Sequence, residues 1–229
     1  MSMNANPLST LDAAALERWL RRSAQLITEH AAELTALDGE IGDADHGQNM
    51  KRGLQAVVEL LDADGPAAGG SLSTPEALLK KVGMTLVSTV GGASGPLYGT
   101  FFLRAAGALK DADTADAAPL AAALRAGMEG IAQRGKSSPG EKTMLDAWAP
   151  ALEAMEQAEN SLAAAVRAGA DAAAAGRDAT ADMVATKGRA SYLGERSRGH
   201  IDPGAASTAL LWQALAETVE AGATGGDAA

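Results

Sequence analysis

Cysteine is absent from this 229-residue chain. No disulfide framework, thiolate metal site or cysteine nucleophile is therefore available, and a reducing compartment is compatible with the composition. Aromatic residues make up only 3%: three Trp, two Tyr and two Phe. No segment alternates apolar and polar residues for long enough to read as a half-buried strand. Lys and Arg number 19 against 29 Asp and Glu, so the formal net charge is −10. An acidic surface argues against nucleic acid as a partner, because phosphate backbones require a basic patch. It leaves room for a small phosphorylated ligand held through metal ions. No run of about 18 apolar residues is present to span a membrane. No basic stretch leads into an apolar one at the N-terminus, so no signal peptide is read and the expected location is cytoplasmic.

What the chain does have is alanine, which supplies much of its 47% hydrophobic content. Small apolar residues let helices approach closely, and the length suits one sizeable core. Residues 1–8 read as a disordered lead, 9–221 as a single helical domain and 222–229 as a flexible tail. The first helix, capped by Ser9 or Thr10, carries Leu11, Leu16, Trp19, Leu20, Ile27 and Leu34 on one face and should end near Leu37. Seven more helices are predicted at about 47–62, 75–90, 97–110, 116–134, 143–158, 161–186 and 203–221. Eight helices with short links give an all-α fold, an antiparallel up-and-down bundle or barrel. Alternate links then share one end. These are 38–46, 91–96, 135–142 and 187–203, the most polar and glycine-rich segments in the chain.

The first of these links holds Asp38, Asp43 and Asp45 within eight residues. Carboxylate oxygens are the ligands hard cations prefer, and magnesium typically takes one or two of them plus water and phosphate. Three could serve two magnesium ions sharing a phosphate. The amides of His46, Gly47, Gln48 and Asn49 open the next helix, whose free N–H groups and dipole attract anions. The plainer alternative is an acidic turn in which Asp45 caps a helix. Gly91-Gly-Ala-Ser-Gly-Pro96 reads as a helix-breaking turn whose amides, with Ser94, could approach a phosphate. Gly130-Ile-Ala-Gln-Arg-Gly-Lys-Ser137 matches the P-loop pattern letter for letter, yet no strand precedes it and Ser138-Pro139-Gly140 prevents a helix from following at once. It is not a P-loop, although Gly135 could line the same pocket, with Met144 offering an apolar side chain or simply packing in the core. The link 187–203 concentrates four Lys or Arg in an acidic chain. Arg189, Arg196 or Arg198 could pair with phosphate oxygens, Tyr192 and Leu193 read as apolar anchors, and Asp202 could be a plain N-cap. His30 reads as an ordinary surface residue, and His200 is left unassigned.

At LDGEIGDADHGQNM, GGASGPLYG, GKSSPGEKTMLDAWAP and KGRASYLGERSRGHIDPGAAS the chain resembles the L subunit of dihydroxyacetone kinases. The resemblance spans about Leu11 to Ala221, with Ala44 standing where many members carry Gly. It implies an eight-helix antiparallel barrel with the nucleotide at one end. It further implies two magnesium ions on Asp38, Asp43 and Asp45. ADP or ATP contacts would fall on His46, Gly47, Gln48, Asn49, Ala93 and Ser94, and on Gly135, Met144, Arg189, Asp202, Pro203 and Gly204. The ketone substrate would sit on a separate K subunit, so no catalytic residue is assigned to this chain. In one family mode ATP exchanges as a substrate. In the other, favoured for a free-standing chain, ADP stays bound and is recharged by a phosphotransferase-system subunit. The substrate could also be a tetrulose. A nucleotide-loaded module that binds a transcription regulator, and a ligand-free helical scaffold, are the competing expectations.

Overall fold

The computed structural model describes residues 6–158 and 161–222, and the description below is of those residues. Nine α-helices are present: α1 (Ala13–Glu29), α2 (Ala31–Ile41), α3 (His46–Asp64), α4 (Pro75–Thr89), α5 (Ser94–Ala108), α6 (Ala117–Gly135), α7 (Leu145–Gln157), α8 (Leu162–Ala179) and α9 (Pro203–Ala221). The expected first helix is thus two. It breaks at His30, but the hydrogen-bond ladder continues across the break, His30 donating to Leu26 and Leu34 donating to His30. Counting α1 and α2 as one member, the chain is the expected eight-membered up-and-down barrel. Each member packs on the next, and α9 closes the ring against α1.

Local chemistry sets the ends. Asp12, rather than Ser9 or Thr10, caps α1 by accepting from the Ala15 amide at 2.7 Å. Thr74, Asp116, Ser161 and Asp202 cap α4, α6, α8 and α9 in the same way, each contributing about 1 kcal/mol. Three ends differ from the sequence expectation. Helix α2 runs four residues past Leu37, which puts Asp38 inside its last turn. Helix α5 starts at Ser94 and takes Pro96 into its first turn, where a missing N–H costs nothing. Helix α8 stops at Ala179 instead of 186, because Thr180 is drawn into contacts with other segments. Of the expected lead, residues 1–5 lie outside the described residues. Leu8 is ordered, its amide donating to Val219 at the end of α9. Residues 223–229 of the expected tail also lie outside them. Gly130 sits within α6 and Lys136 ends that helix in the left-handed region (φ 49°), so the P-loop reading is excluded by geometry.

Six of the seven scarce aromatics are buried. Trp19, Phe102, Phe101, Trp148 and Trp212 form a continuous chain across α1, α5, α7 and α9, with centroid separations of 5.8, 5.2, 4.3 and 5.6 Å. Alanines and glycines bring the helices together around it. At Gly169 a Cβ would lie 2.5 Å from the Trp212 ring. Among the described residues no helix is long and apolar enough to cross a membrane. Phe101 is fully buried at the centre of the aromatic chain. Phe101→Ala should cost about 3–5 kcal/mol in urea unfolding, whereas a loss below about 1 kcal/mol would contradict this packing.

Candidate functional site

Because the members alternate in direction, α3, α5, α7 and α9 all begin at one end of the barrel. The first residues of α3, α5 and α9, the N-cap Met144 of α7 and the links that precede these helices line a single open pocket of about 850 Å³. Four positive helix ends therefore face one cavity in an acidic protein, a field suited to an anion. The four links expected to be neighbours do meet there.

The carboxylates occupy one wall. Ligand atoms of Asp38, Asp43 and Asp45 lie within 4.8 Å of one another. Asp38 is buried, while Asp43 and Asp45 are exposed to the cavity. Asp45 holds the N-cap position of α3, but its carboxylate makes no capping bond. Asp38 does that work from the previous helix: its Oδ2 accepts from the amides of Asp45 (2.8 Å) and His46 (3.1 Å). The simple capping explanation for Asp45 therefore fails, and its carboxylate remains available to a ligand. Gly42 packs so tightly that a Cβ there would lie 2.1 Å from Asp38 Oδ1. Three oxygen donors of this hardness and spacing fit a magnesium-type cation. Arg189 reaches across the mouth to Asp43 at 2.9 Å.

The other site residues separate into those that line the cavity and those that support it. His46, Ala93, Ser94, Gly135, Met144, Arg189, Asp202, Pro203 and Gly204 line it. Gly47, Gln48 and Asn49 do not. Gly47 is packing-limited, since a Cβ would lie 2.0 Å from the Ala31 carbonyl, and Gln48 is exposed. Asn49 is buried behind the glycine turn: it accepts from Arg52 at 2.7 Å, and a Cβ at Gly91 would meet its side-chain oxygen. Leu193 packs with Ile41, Ala185 and Ala190, as an anchor should. Tyr192 does not: it is 88% exposed. Arg198 bonds Glu195 and the Asp182 carbonyl outside the cavity, and Arg196 is exposed outside it.

The sequence reading missed a buried polar chain behind the cavity. His46 Nδ1 lies 3.1 Å from Ser94 Oγ, and Nε2 lies 2.9 Å from Ser207 Oγ. Tyr98 joins Ser207 at 2.7 Å and Thr208 at 3.0 Å. An Nε2–H tautomer satisfies every member, with Ser207 donating onward to the Gly204 carbonyl at 3.0 Å. Burial pulls the His46 pKa down, against the nearby Asp38 and Asp45 charges, so the ring stays neutral. Burial likewise pushes the Tyr98 phenol up to about 12. The signal for this chain was available: Ser207 and Thr208 interrupt a helix that is apolar nearly all round, and buried hydroxyls need partners.

A cleft at the N-terminal ends of alternate barrel helices, with a three-carboxylate wall, defines the class: an all-helical barrel with a candidate cation and anion site at one end. The family follows from comparison. The DAK2 domain model matches residues 40–217, and the chain belongs to that family. It is 45% identical over 210 residues to the ADP-binding subunit DhaL of the PEP-dependent dihydroxyacetone kinase of Escherichia coli, covering 90% of this chain and 97% of that one. It is 47% identical over 201 residues to the ADP-binding subunit DhaL of PEP-dependent dihydroxyacetone kinase 1 of Listeria innocua, covering 88% and 94%. Its fold matches the native dihydroxyacetone kinase of C. freundii with a TM-score of 0.71 at 27% identity, and that enzyme's complex with AMP-PNP and Mg2+ at 0.69 and 26%. The match covers 95% of this chain but 36% of the C. freundii chain.

Two properties of the site can be tested directly. Ala44, between two of the aspartates, has φ 58°. An alanine there carries a cost of about 1–2 kcal/mol that glycine avoids, offset in part by the freer unfolded chain. Ala44→Gly should raise stability by about 0.5–1 kcal/mol in urea unfolding; a loss would contradict the strain. Asp202 is buried, and burial pushes its pKa up to about 7 against the pull of the Ala205 and Gly204 amides. The folded state then binds the proton more tightly than the unfolded one, so this contribution to stability is complete near pH 4 and is lost as pH rises towards 7. Relative to Asp202→Asn, the wild type should lose stability over that window by at most about 1.4 kcal/mol per unit. Parallel pH curves for the two proteins would refute it.

Proposed function

We propose that this chain is the nucleotide-binding subunit of a dihydroxyacetone kinase and that Asp38, Asp43 and Asp45 hold two magnesium ions against the phosphates of ADP or ATP. The observation that carries the reading is the three-carboxylate cluster, 4.8 Å across, facing the glycine turn and the converging helix ends. Bound magnesium would neutralise phosphate charge and polarise the phosphoryl group. The chain's own part is positional. The amides opening α5 face the phosphates, Arg189 supplies an exposed positive charge, and Leu97, Ile131 and Met144 form an apolar wall for the base.

With Asp38, Asp43 and Asp45 committed to magnesium, the described residues of the cavity leave no free general base. Both His46 nitrogens are engaged, Asp202 is tied to the start of α9, and one Asp38 oxygen is bound to amides. A hydroxyl acceptor must therefore be activated elsewhere, which agrees with a ketose held on a separate K subunit. Phosphoryl transfer needs little more than alignment and charge neutralisation from this side. The relatives that match along nearly their whole length are PEP-dependent, which supports resident ADP recharged by a phosphotransferase-system subunit over exchangeable ATP. A 36% identical relative, an L-erythrulose 1-kinase of Mycolicibacterium smegmatis, keeps a tetrulose within the substrate class.

Asp43→Asn separates this role from a structural one. Asp43 makes only an exposed ion pair with Arg189, worth about 0–1 kcal/mol, and losing it also relieves repulsion within the cluster. The variant should melt at or above the wild-type temperature without ligand. It should lose stabilisation by Mg2+ and ADP, and lose about 100-fold or more of kinase activity with a K subunit. Retained activity would refute the proposal.

A further inference from the structure

Lys142 plays no part in the chemistry above, yet it is built as a costly residue. It is 1% exposed. Its backbone has φ 60°, a region that L residues with long side chains seldom adopt. No carboxylate pairs with its ammonium among the described residues. Instead Nζ donates to two backbone carbonyls, Thr180 and His200. These are the two feet of one segment: Thr180 directly follows α8, and His200 stands two residues before Asp202. The segment between them carries Lys187, Gly188, Arg189 and Ala190 along the cavity wall.

The segment is knit together internally. Gly199 donates to the Ala181 carbonyl at 2.7 Å, and Ala185 donates to Ser197 Oγ at 2.9 Å. The Asp202 amide donates to Thr180 Oγ1 at 2.9 Å, so the two feet also touch each other. Its other ties to the bundle are one small apolar cluster, Ala185, Ala190 and Leu193 on Ile41 of α2, and surface contacts: His200 to Glu40 at 3.7 Å, Lys187 to Glu141 at 4.0 Å, Thr186 to the Glu141 carbonyl at 3.3 Å, and Arg189 to Asp43. Lys142 is itself held in place, because Asp146 accepts from the amides of Gly140 and Thr143 on either side of it. A fixed, buried cation thus grips both feet of a segment whose remaining hold on the bundle is one small apolar cluster and a few surface contacts.

We infer that Lys142 is a positioning residue that latches the 180–202 segment over the cavity and so sets how long a nucleotide stays bound. This rests on the proposed nucleotide site and adds to it the physical basis of slow exchange. Departure of the nucleotide requires the segment to lift, and lifting breaks both charge-assisted bonds. Lys142 lines the cavity, but its ammonium is committed to the two carbonyls, so arrival is affected less than departure.

The test uses the full chain, Mg2+ and N-methylanthraniloyl-ADP, chased with excess ADP. Lys142→Met keeps the apolar stem and removes the donors. It should speed release roughly 10- to 100-fold with association changed less than about threefold. Hydrogen exchange should show lost protection across residues 183–199 and unchanged protection in α4 to α7. Lys142→Arg, which retains charge and donors, should restore part of the slow release. Unchanged release from a folded Lys142→Met, or protection lost evenly throughout the barrel, would overturn the latch. The wild type tests it even if that variant fails to fold: amides of 183–199 exchanging as freely as unstructured chain would also overturn it. A wild type that binds no labelled ADP would instead overturn the reading of the site itself.

Discussion

The site depends on the Asp38 carboxylate. It sits in the last turn of α2 and satisfies two amides at the start of α3, so one side chain joins a helix end to the helix that follows. That bond frees Asp45 from capping duty and sets the aspartates within reach of one another. The tight turn is possible because Gly42 leaves room for Asp38 Oδ1 and Ala44 accepts a left-handed backbone. Moving Asp38 would disturb the chain reversal and the carboxylate cluster together.

The barrel supplies the second requirement. A protein with net charge −10 is a poor host for polyphosphate unless positive potential is concentrated locally. Alternating helix direction provides this without many basic residues, because α3, α5, α7 and α9 start at the same end. The pocket's few Lys and Arg residues are Arg134 at the end of α6, Lys142 in the link that follows it, and Lys187 and Arg189 in the basic link. The aromatic chain and the close alanine and glycine contacts keep those helix ends in register from below.

Much of this was legible in the sequence because it is local. Helical periodicity, glycine breaks and the clustering of Asp38, Asp43 and Asp45 are short-range patterns, and alternation then placed four links together. What was not legible depends on contacts distant in the chain. Helix α8 ends early because Thr180 is claimed by Lys142 and Asp202, neither of which is near it in sequence. The chain from Ser94 through His46 to Ser207 and Tyr98 joins three helices. Tyr192 and Leu193 were both expected to anchor their link, and only Leu193 does, a choice of side that a one-residue change of direction decides.

The central claim is that the aspartate cluster holds a divalent cation in contact with nucleotide phosphate. Mn2+ can replace Mg2+ as a paramagnetic reporter, and electron–nuclear double resonance then reads its neighbours. The account predicts ADP-dependent Mn2+ binding with a direct 31P coupling in the wild type, and loss of that coupling in Asp43→Asn. Mn2+ that binds equally without ADP and shows no 31P coupling would contradict it.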